Sequence, residues 1–160
     1  KQYQSSYGKL VSDQVLRLVT PKILAVAGAG KVFRLAGDEF TLVFHGRTAT
    51  ETLATLEHIR KSVERTRLHV RKKTRVWEGR CTSTDGTEEI DLPVSISTGF
   101  VEATPAAPSL TLVTKAAYRA LYEAKGEGGN IIKRGTVQAD PAKPAQPPTG
   151  RIVVYSEFEH

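Results

Sequence analysis

The chain has little cysteine and lacks long apolar runs, and each shortage excludes a class of protein. Cys81 is the single cysteine among 160 residues, which excludes an intrachain disulfide and is compatible with a reducing compartment. No run approaches the roughly 20 apolar residues of a membrane helix, and no signal-peptide pattern opens the sequence. We therefore expect a soluble, cytoplasmic piece, which can also be the cytoplasmic part of a longer membrane receptor. This length is enough to bury a core without disulfides or structural metals.

Acidic residues are scarce between positions 60 and 80, where Glu64 and Glu78 alone oppose nine lysines and arginines. The whole chain has a formal net charge of +6. Such a run attracts nucleotide phosphates, nucleic acid or an anionic membrane surface, or it is a solvated hairpin. Aromatic rings are also few there, since only His69 and Trp77 contribute them. Because a single-strand stacking platform needs interleaved aromatics, nucleic-acid binding is a distant alternative.

Two adjacent carboxylates, Asp38 and Glu39, lie on a predicted hairpin turn. Residues 32–35 and 40–44 are rich in β-branched and aromatic side chains, which favour strands. Residues 36–37 supply the bend. Carboxylates at a turn tip can hold a metal ion, although such a pair is also common on a merely solvated turn. The spacing alone leaves both interpretations open.

Helix and strand patterns alternate along the rest of the chain. Helical spacing predicts helices beginning near Ser12, from 49 to 66 and from 110 to 125. The third helix is predicted to bury one face, formed by Val113, Ala117, Ala120, Leu121 and Ala124. The second helix has a capping box at Thr48 and Glu51. Its predicted buried stripe is Leu53, Leu56, Ile59 and Val63. Strands are expected at 94–101 and near 131–132, with an extra hairpin over 68–92 that turns at 83–86. The order implies an α/β sandwich, one sheet with helices packed on it.

Four segments, in order, resemble the motifs of one family. Residues 36–40, AGDEF, resemble the signature turn of GGDEF domains, the diguanylate cyclase family, with alanine for the first glycine. Residues 7–16 are similar to its Y-G-H-x-x-G-D-x-x-L stretch, and residues 94–100 to its strand ending S-I-G-V. Residues 117–125 are similar to its A-D-x-A-L-Y-x-A-K helix, with Tyr118 for the aspartate.

The resemblance implies a palm-like βαββαβ core, an α+β sandwich with a central, mainly antiparallel sheet, plus the extra hairpin. It makes residues 1–133 the GGDEF-like core and residues 134–150 a Pro-rich linker. The family's central first strand should precede Lys1, where the sequence begins, and residues 151–160 are similar to that strand. We expect this segment to complete the core sheet, through circular permutation or exchange between chains. An ordinary C-terminal strand is the alternative.

The resemblance also implies a metal site. Asp38 takes a metal-ligand position on the turn, and Glu39 takes the position that binds metal and activates the attacking hydroxyl. Glu157 takes the metal position of the first strand, where glutamate replaces aspartate. The implied cation is Mg²⁺ or Mn²⁺, bound together with nucleotide.

Substrate contacts are retained in part. Asp13 matches the guanine-contacting aspartate of the family, Lys125 its phosphate-contacting lysine, and Gly37 the second glycine of its turn. Gln4 stands where the family reads guanine with asparagine, and Gly129 stands where it clamps phosphate with arginine. Loss of a charge-assisted contact typically costs about 1.5 to 3 kcal/mol. These departures predict a weakened site.

The function that follows is a degenerate GGDEF domain in cyclic-di-GMP signalling. It binds GTP and Mg²⁺ weakly, or it serves as a regulatory or dimerisation module with little or no cyclase activity. The alternative is an active diguanylate cyclase that converts two GTP to cyclic di-GMP. The implied partners are GTP or another guanine nucleotide, a second copy in a homodimer with or without strand exchange, and an upstream sensor domain or partner protein.

Overall fold

A computed structural model describes residues 9–28, 30–78, 82–103, 109–137 and 151–159. The helices are α1 (Lys9–Ala27), α2 (Ala49–Glu64) and α3 (Leu110–Gly126). The strands are β1 (Lys31–Ala36), β2 (Glu39–His45), β3 (Arg67–Glu78), β4 (Thr82–Pro93), β5 (Ser95–Ala103), β6 (Ile132–Arg134) and β7 (Arg151–Glu159). Gln4 and most of the predicted linker lie outside the described residues. Within them, no helix is long and apolar enough to cross a membrane.

Five strands form the main sheet, in the order β1-β2-β7-β5-β6. The first three pairings are antiparallel, and β5 pairs with β6 in parallel. This is the predicted α+β architecture with a mainly antiparallel sheet, and β3 and β4 form the predicted extra hairpin. The strand latest in sequence, β7, lies at the centre, hydrogen-bonded to β2 along one edge and to β5 along the other.

Helices cover both faces of the main sheet. On one face, alternate strand residues such as Phe40 and Leu42 belong to a core shared with α1 and α2. On the other face, Ala117 and Leu121 of α3 pack with Val101 of β5. The apolar stripe of α3 is buried as its spacing predicts. The sheet therefore separates α1 and α2 from α3, and that separation decides which side chains can meet.

Helix α3 lies so close to β5 that position 99 has no room for a Cβ. A Cβ on Gly99 would lie 2.2 Å from the carbonyl oxygen of Ala117 and 2.2 Å from the amide nitrogen of Leu121. Beyond β6, a Cβ on Gly135 would lie 2.5 Å from the carbonyl oxygen of Ala116. The chain thus still packs against α3 at residue 135.

Helix α1 begins earlier than the capping residues suggest. It already includes Lys9, so Ser12 lies within the helix rather than at its start. Asp13 is exposed there, and an exposed polar side chain is tolerated inside a helix although it also favours caps. Pro21 lies within the helix, and Gly28, with φ of 56°, follows its last residue.

Helix α2 begins at the predicted capping box. The Thr48 hydroxyl accepts a hydrogen bond from the backbone N–H of Glu51 at 3.2 Å, and the Thr48 N–H donates to the Glu51 carboxylate at 2.8 Å. Hydrogen bonds from the Thr48 backbone and side chain lower the pKa of the Glu51 carboxyl. The carboxylate therefore satisfies a backbone donor that would otherwise lack a helical partner.

The predicted stripe of α2 is wrong at one position. Leu53 is 40% exposed, and Thr52 is fully buried instead. The other three members of the stripe are buried as expected. At 100° per residue, position 52 falls on the face that they define, whereas position 53 lies well to its side. The apolar character of leucine misdirected the prediction.

The turn of the extra hairpin is also not where the sequence suggests. Residues 83–86 lie inside β4, and the connection falls at 79–81, outside the described residues. The observed register opposes Leu68 to Leu92 and Val70 to Ile90. It also opposes Arg71 to Glu89, whose charged groups pair at 2.9 Å. Cross-strand pairing along two long strands outweighs the local preference of an Asp-Gly dipeptide for a turn.

Candidate functional site

The acidic turn is a two-residue connection between β1 and β2. Ala36 is registered opposite Glu39, with Gly37 and Asp38 between them. Gly37 has φ of 51°, a conformation that favours glycine. The Arg34 Nε donates to the Gly37 carbonyl oxygen at 2.8 Å. The turn glycine that needs a positive φ is therefore retained, and the alanine of AGDEF is the last residue of β1.

Glu39, the first residue of β2, is aligned with one residue on each of the next two strands of the sheet. Glu39 is registered with Glu157 of β7, and Glu157 is registered with Ser97 of β5. Directly opposed positions of an antiparallel pair share one face of the sheet. Asp38 and Glu39 are half-buried. The backbone positions of the three predicted metal ligands, Asp38, Glu39 and Glu157, thus lie near the turn between β1 and β2.

The carboxylates of the acidic turn determine which cation could bind there. Among the residues that the structure describes, no three His, Cys, Asp or Glu side chains cluster as metal ligands. Mg²⁺ is commonly held by one or two carboxylates together with substrate phosphates. Asp38 and Glu39 meet that requirement, so these residues fit Mg²⁺ in the presence of a nucleotide.

Tyr118 reaches this turn from α3. Its phenolic O–H donates to the Glu39 Oε1 at 3.3 Å, across 79 residues of sequence. The sequence marked Tyr118 only as a departure from the family's helix motif. A functional contact could not be derived from that departure, because the contact depends on how α3 lies on the sheet.

The glycine-rich loop after α3 is fully engaged with the protein. Gly128, Gly129 and Asn130 have φ of 104°, 73° and 54°. The first two donate their N–H groups to carbonyl oxygens near the end of α3, and the N–H of Asn130 donates to the Ser97 Oγ at 3.0 Å. The loop therefore does not present these three N–H groups to a phosphate. An arginine at the left-handed position 129 would cost about 1 to 2 kcal/mol in backbone strain.

A polar network holds the same loop against α2. Arg60 Nη1 donates to the Asn130 Oδ1 at 3.2 Å, and the Asn130 amide donates to the Glu64 Oε1 at 2.6 Å. Arg60 also pairs with Glu57 at 3.1 Å. The first arginine of the basic run thus has a structural role.

A second arginine of the basic run also has an acidic partner. Arg71 pairs with Glu89, and the neighbouring His69 contacts Asp91 across the hairpin. These pairs are exposed, and exposed pairs contribute little stability. The pair with Glu89 does neutralise the charge of Arg71, which is consistent with the solvated-hairpin interpretation.

Two other predicted substrate residues lie on different helices. Asp13 is exposed on α1, on the face of the sheet opposite α3. Lys125 is half-buried near the end of α3. Gln4 lies outside the described residues. The structure brings together the acidic positions, but Asp13 and Lys125 lie on elements that the sheet separates.

Comparison with known proteins identifies the class that this fold and acidic turn define. The family described as diguanylate cyclase, GGDEF domain, matches residues 1–131. Diguanylate cyclase DosC of Escherichia coli (strain K12) is 31% identical over 134 residues, which cover 83% of this chain and 25% of that protein. DosC of Shigella boydii serotype 4 (strain Sb227) gives the same figures. The chain spans about a quarter of the length of these relatives.

Solved structures agree with this class. The GGDEF domain of DgcB from Caulobacter crescentus in complex with c-di-GMP is 28% identical, with a TM-score of 0.60, over 83% of this chain and 70% of that chain. A structure of the DgcB coiled coil and GGDEF domain gives 27% identity and a TM-score of 0.61, over 84% of this chain and 63% of that chain. The chain belongs to the GGDEF domain family, and the predicted resemblance is confirmed.

Proposed function

We propose that this chain is a degenerate GGDEF domain in cyclic-di-GMP signalling. It binds GTP with Mg²⁺ weakly and acts as a regulatory or dimerising module, with little or no cyclase activity. The proposal rests on family membership together with the uneven retention of the site. The protein that supplies its signal is an upstream sensor domain or a partner protein.

One observation carries the proposal: the acidic turn is intact, whereas the loop that should hold phosphate is not equipped to do so. Asp38 and Glu39 keep their carboxylates at the hairpin tip. Gly129 offers no guanidinium, and the N–H groups of its loop are already used within the protein. Phosphoryl transfer depends on positioning and charge neutralisation, so a cation site without the phosphate clamp supports binding better than turnover.

The proposed roles follow the chemistry of each side chain. Asp38 and Glu39 bind the cation through carboxylate oxygens, and Glu157, registered opposite Glu39, provides a third. Bound Mg²⁺ would neutralise phosphate charge. Lys125 contacts phosphate as a point charge. Glu39 also accepts the proton of the attacking hydroxyl if turnover occurs.

We further propose that β7 takes the place of the family's first strand. Its pairing with both β2 and β5 supports this reading. A homodimer brings two nucleotide sites together, and exchange of β7 between chains is one way to form it. Sedimentation at several protein concentrations measures whether such a dimer forms.

Separate measurements of binding and turnover test the proposal. We expect GTP with Mg²⁺ to bind with a dissociation constant well above about 1 μM and to yield no rapid cyclic di-GMP by chromatography. Glu39→Gln should weaken binding further, because it removes a ligand charge. Glu123→Gln, at an exposed glutamate of α3, is the matched control and should bind as the unaltered protein does. Rapid product formation would refute degeneracy.

An active diguanylate cyclase remains the second candidate, because the two turn carboxylates are retained and the chain is 31% identical to a diguanylate cyclase. If this candidate is right, cyclic di-GMP accumulates and Glu39→Gln abolishes it. Binding without product distinguishes the first candidate from the second.

A further inference from the structure

We propose that Tyr118 is a positioning residue for Glu39. Its hydroxyl holds one oxygen of the Glu39 carboxylate and leaves the other oxygen for a divalent cation that arrives with nucleotide phosphates. The proposal rests on the proposed function, in which Glu39 is a cation ligand.

The position of α3 makes this contact possible. Ala117 packs directly over Gly99, where a Cβ would lie 2.2 Å from its carbonyl oxygen. Ala117 is fully buried, whereas Tyr118 is 40% exposed. The next residue along the helix is therefore fixed over the sheet without being part of its core. From there its hydroxyl reaches the Glu39 Oε1 at 3.3 Å.

The rest of the turn is already restrained. Arg34 bonds to the Gly37 carbonyl oxygen, and Glu39 lies in the β2 ladder. These contacts fix the backbone of Glu39 but not its side-chain torsions. The Tyr118 hydroxyl restrains the carboxylate itself. Hydrogen-bonding partners of metal ligands are worth about 10- to 100-fold in metal affinity, and the length and exposure of this bond favour the lower end.

Tyrosine supplies what the aspartate of the family's helix motif does not. A phenol donates one hydrogen bond and carries no charge near neutral pH, whereas an ionised aspartate only accepts hydrogen bonds. An ionised aspartate at position 118 could not donate a hydrogen bond to the Glu39 carboxylate. At this position, Tyr118 orders the existing ligand without adding another one.

The first test needs no ligand. In the full chain, the order of the Glu39 side chain is measured by ¹³C relaxation for the unaltered protein, Tyr118→Phe and Tyr122→Phe. Tyr122 lies one turn further along α3 and is 72% exposed, so its variant controls for loss of a phenol. We expect side-chain order at Glu39 to fall in Tyr118→Phe alone. Unchanged order in that variant overturns the proposal.

The second test measures the affinity for GTP with Mg²⁺ in a double-mutant cycle. Tyr118→Phe should weaken binding about 10-fold, and it should have about twofold effect or less when Glu39→Gln is already present. An equal loss in both backgrounds shows that Tyr118 acts independently of Glu39, which overturns the proposal. If the unaltered protein binds no GTP with Mg²⁺, the proposed function fails, and the relaxation result alone decides the role of Tyr118.

Discussion

At the scale of the residue, single atoms decide how closely the elements approach. Gly99 carries no Cβ, and this lets α3 lie against β5, which in turn brings Tyr118 to Glu39. A contact between positions 39 and 118 cannot be read from local sequence, because it depends on a helix that packs over a different strand. Sequence motifs identified the acidic turn, and only the packing identified its neighbour.

Gly99→Ala should destabilise the fold strongly. The new Cβ would lie 2.2 Å from two backbone atoms of α3, and backbone cannot yield as the end of a flexible side chain does. We expect the free energy of unfolding, measured by guanidinium titration, to fall by about 3 kcal/mol. Gly126→Ala is the control, since a Cβ there meets nothing within 4 Å. A loss at Gly99 no larger than that at Gly126 would contradict the close approach.

Thr52→Val should stabilise the protein. Thr52 is fully buried, and its hydroxyl has no hydrogen-bond partner among the described residues. Valine keeps the shape and removes the buried polar group, so the free energy of unfolding should rise by about 1 kcal/mol. Thr55→Val on the same helix is the matched control, and it should lose stability, because the Thr55 hydroxyl bonds to the Glu51 carbonyl and to Arg47. Stabilisation by both variants would point to helix propensity instead.

For single helices and strands, the sequence predicts a feature correctly when the residues that determine it are close together in the chain. The capping box of α2 and the buried stripe of α3 are each set by residues within one or two turns of each other, and both follow from the sequence. The hairpin of β3 and β4 fails this condition. Its register depends on pairing over the full length of both strands, so the Asp-Gly signal at 85–86 predicted the wrong turn.

The cap of α2 should make stability depend on pH. Hydrogen bonds from the Thr48 backbone and hydroxyl lower the pKa of Glu51 in the folded state. The unfolded chain therefore binds the proton more readily. The stabilisation is complete above the unfolded pKa and is lost as pH falls through the folded pKa. Glutamine at the same position can still cap but does not titrate.

Melting temperatures of the unaltered protein and Glu51→Gln, measured from about pH 7 to about pH 3, test this prediction. The unaltered protein should be the more stable at neutral pH, and its advantage should shrink as the medium becomes acidic. A difference that stays constant over the whole range would show that the Glu51 charge does not contribute through the cap.

In the architecture as a whole, β7 joins the two halves of the main sheet, since it pairs with β2 on one side and with β5 on the other. Val154 is fully buried, and its registered partners are Leu42 on one side and Phe100 on the other. Composition and periodicity predict a strand within residues 151–160 but give no position for it in the sheet. Pairing between strands so distant in sequence leaves no local signal. The central position was therefore predicted from the family resemblance and not from periodicity.

This arrangement predicts opposite results for two rearranged chains. Deleting residues 138–160 removes a central strand, leaves two unpaired edges and uncovers the core, so cooperative unfolding in denaturant should be lost. Placing residues 151–160 before Lys1 and ending the chain at 137 supplies the same strand from the other terminus, and cooperative unfolding should be retained. The change in loop closure alters stability only slowly with length, by about 0.6 kcal/mol per doubling. Cooperative unfolding of the deleted chain would contradict a structural need for β7, and failure of both chains would contradict its proposed place as the family's first strand.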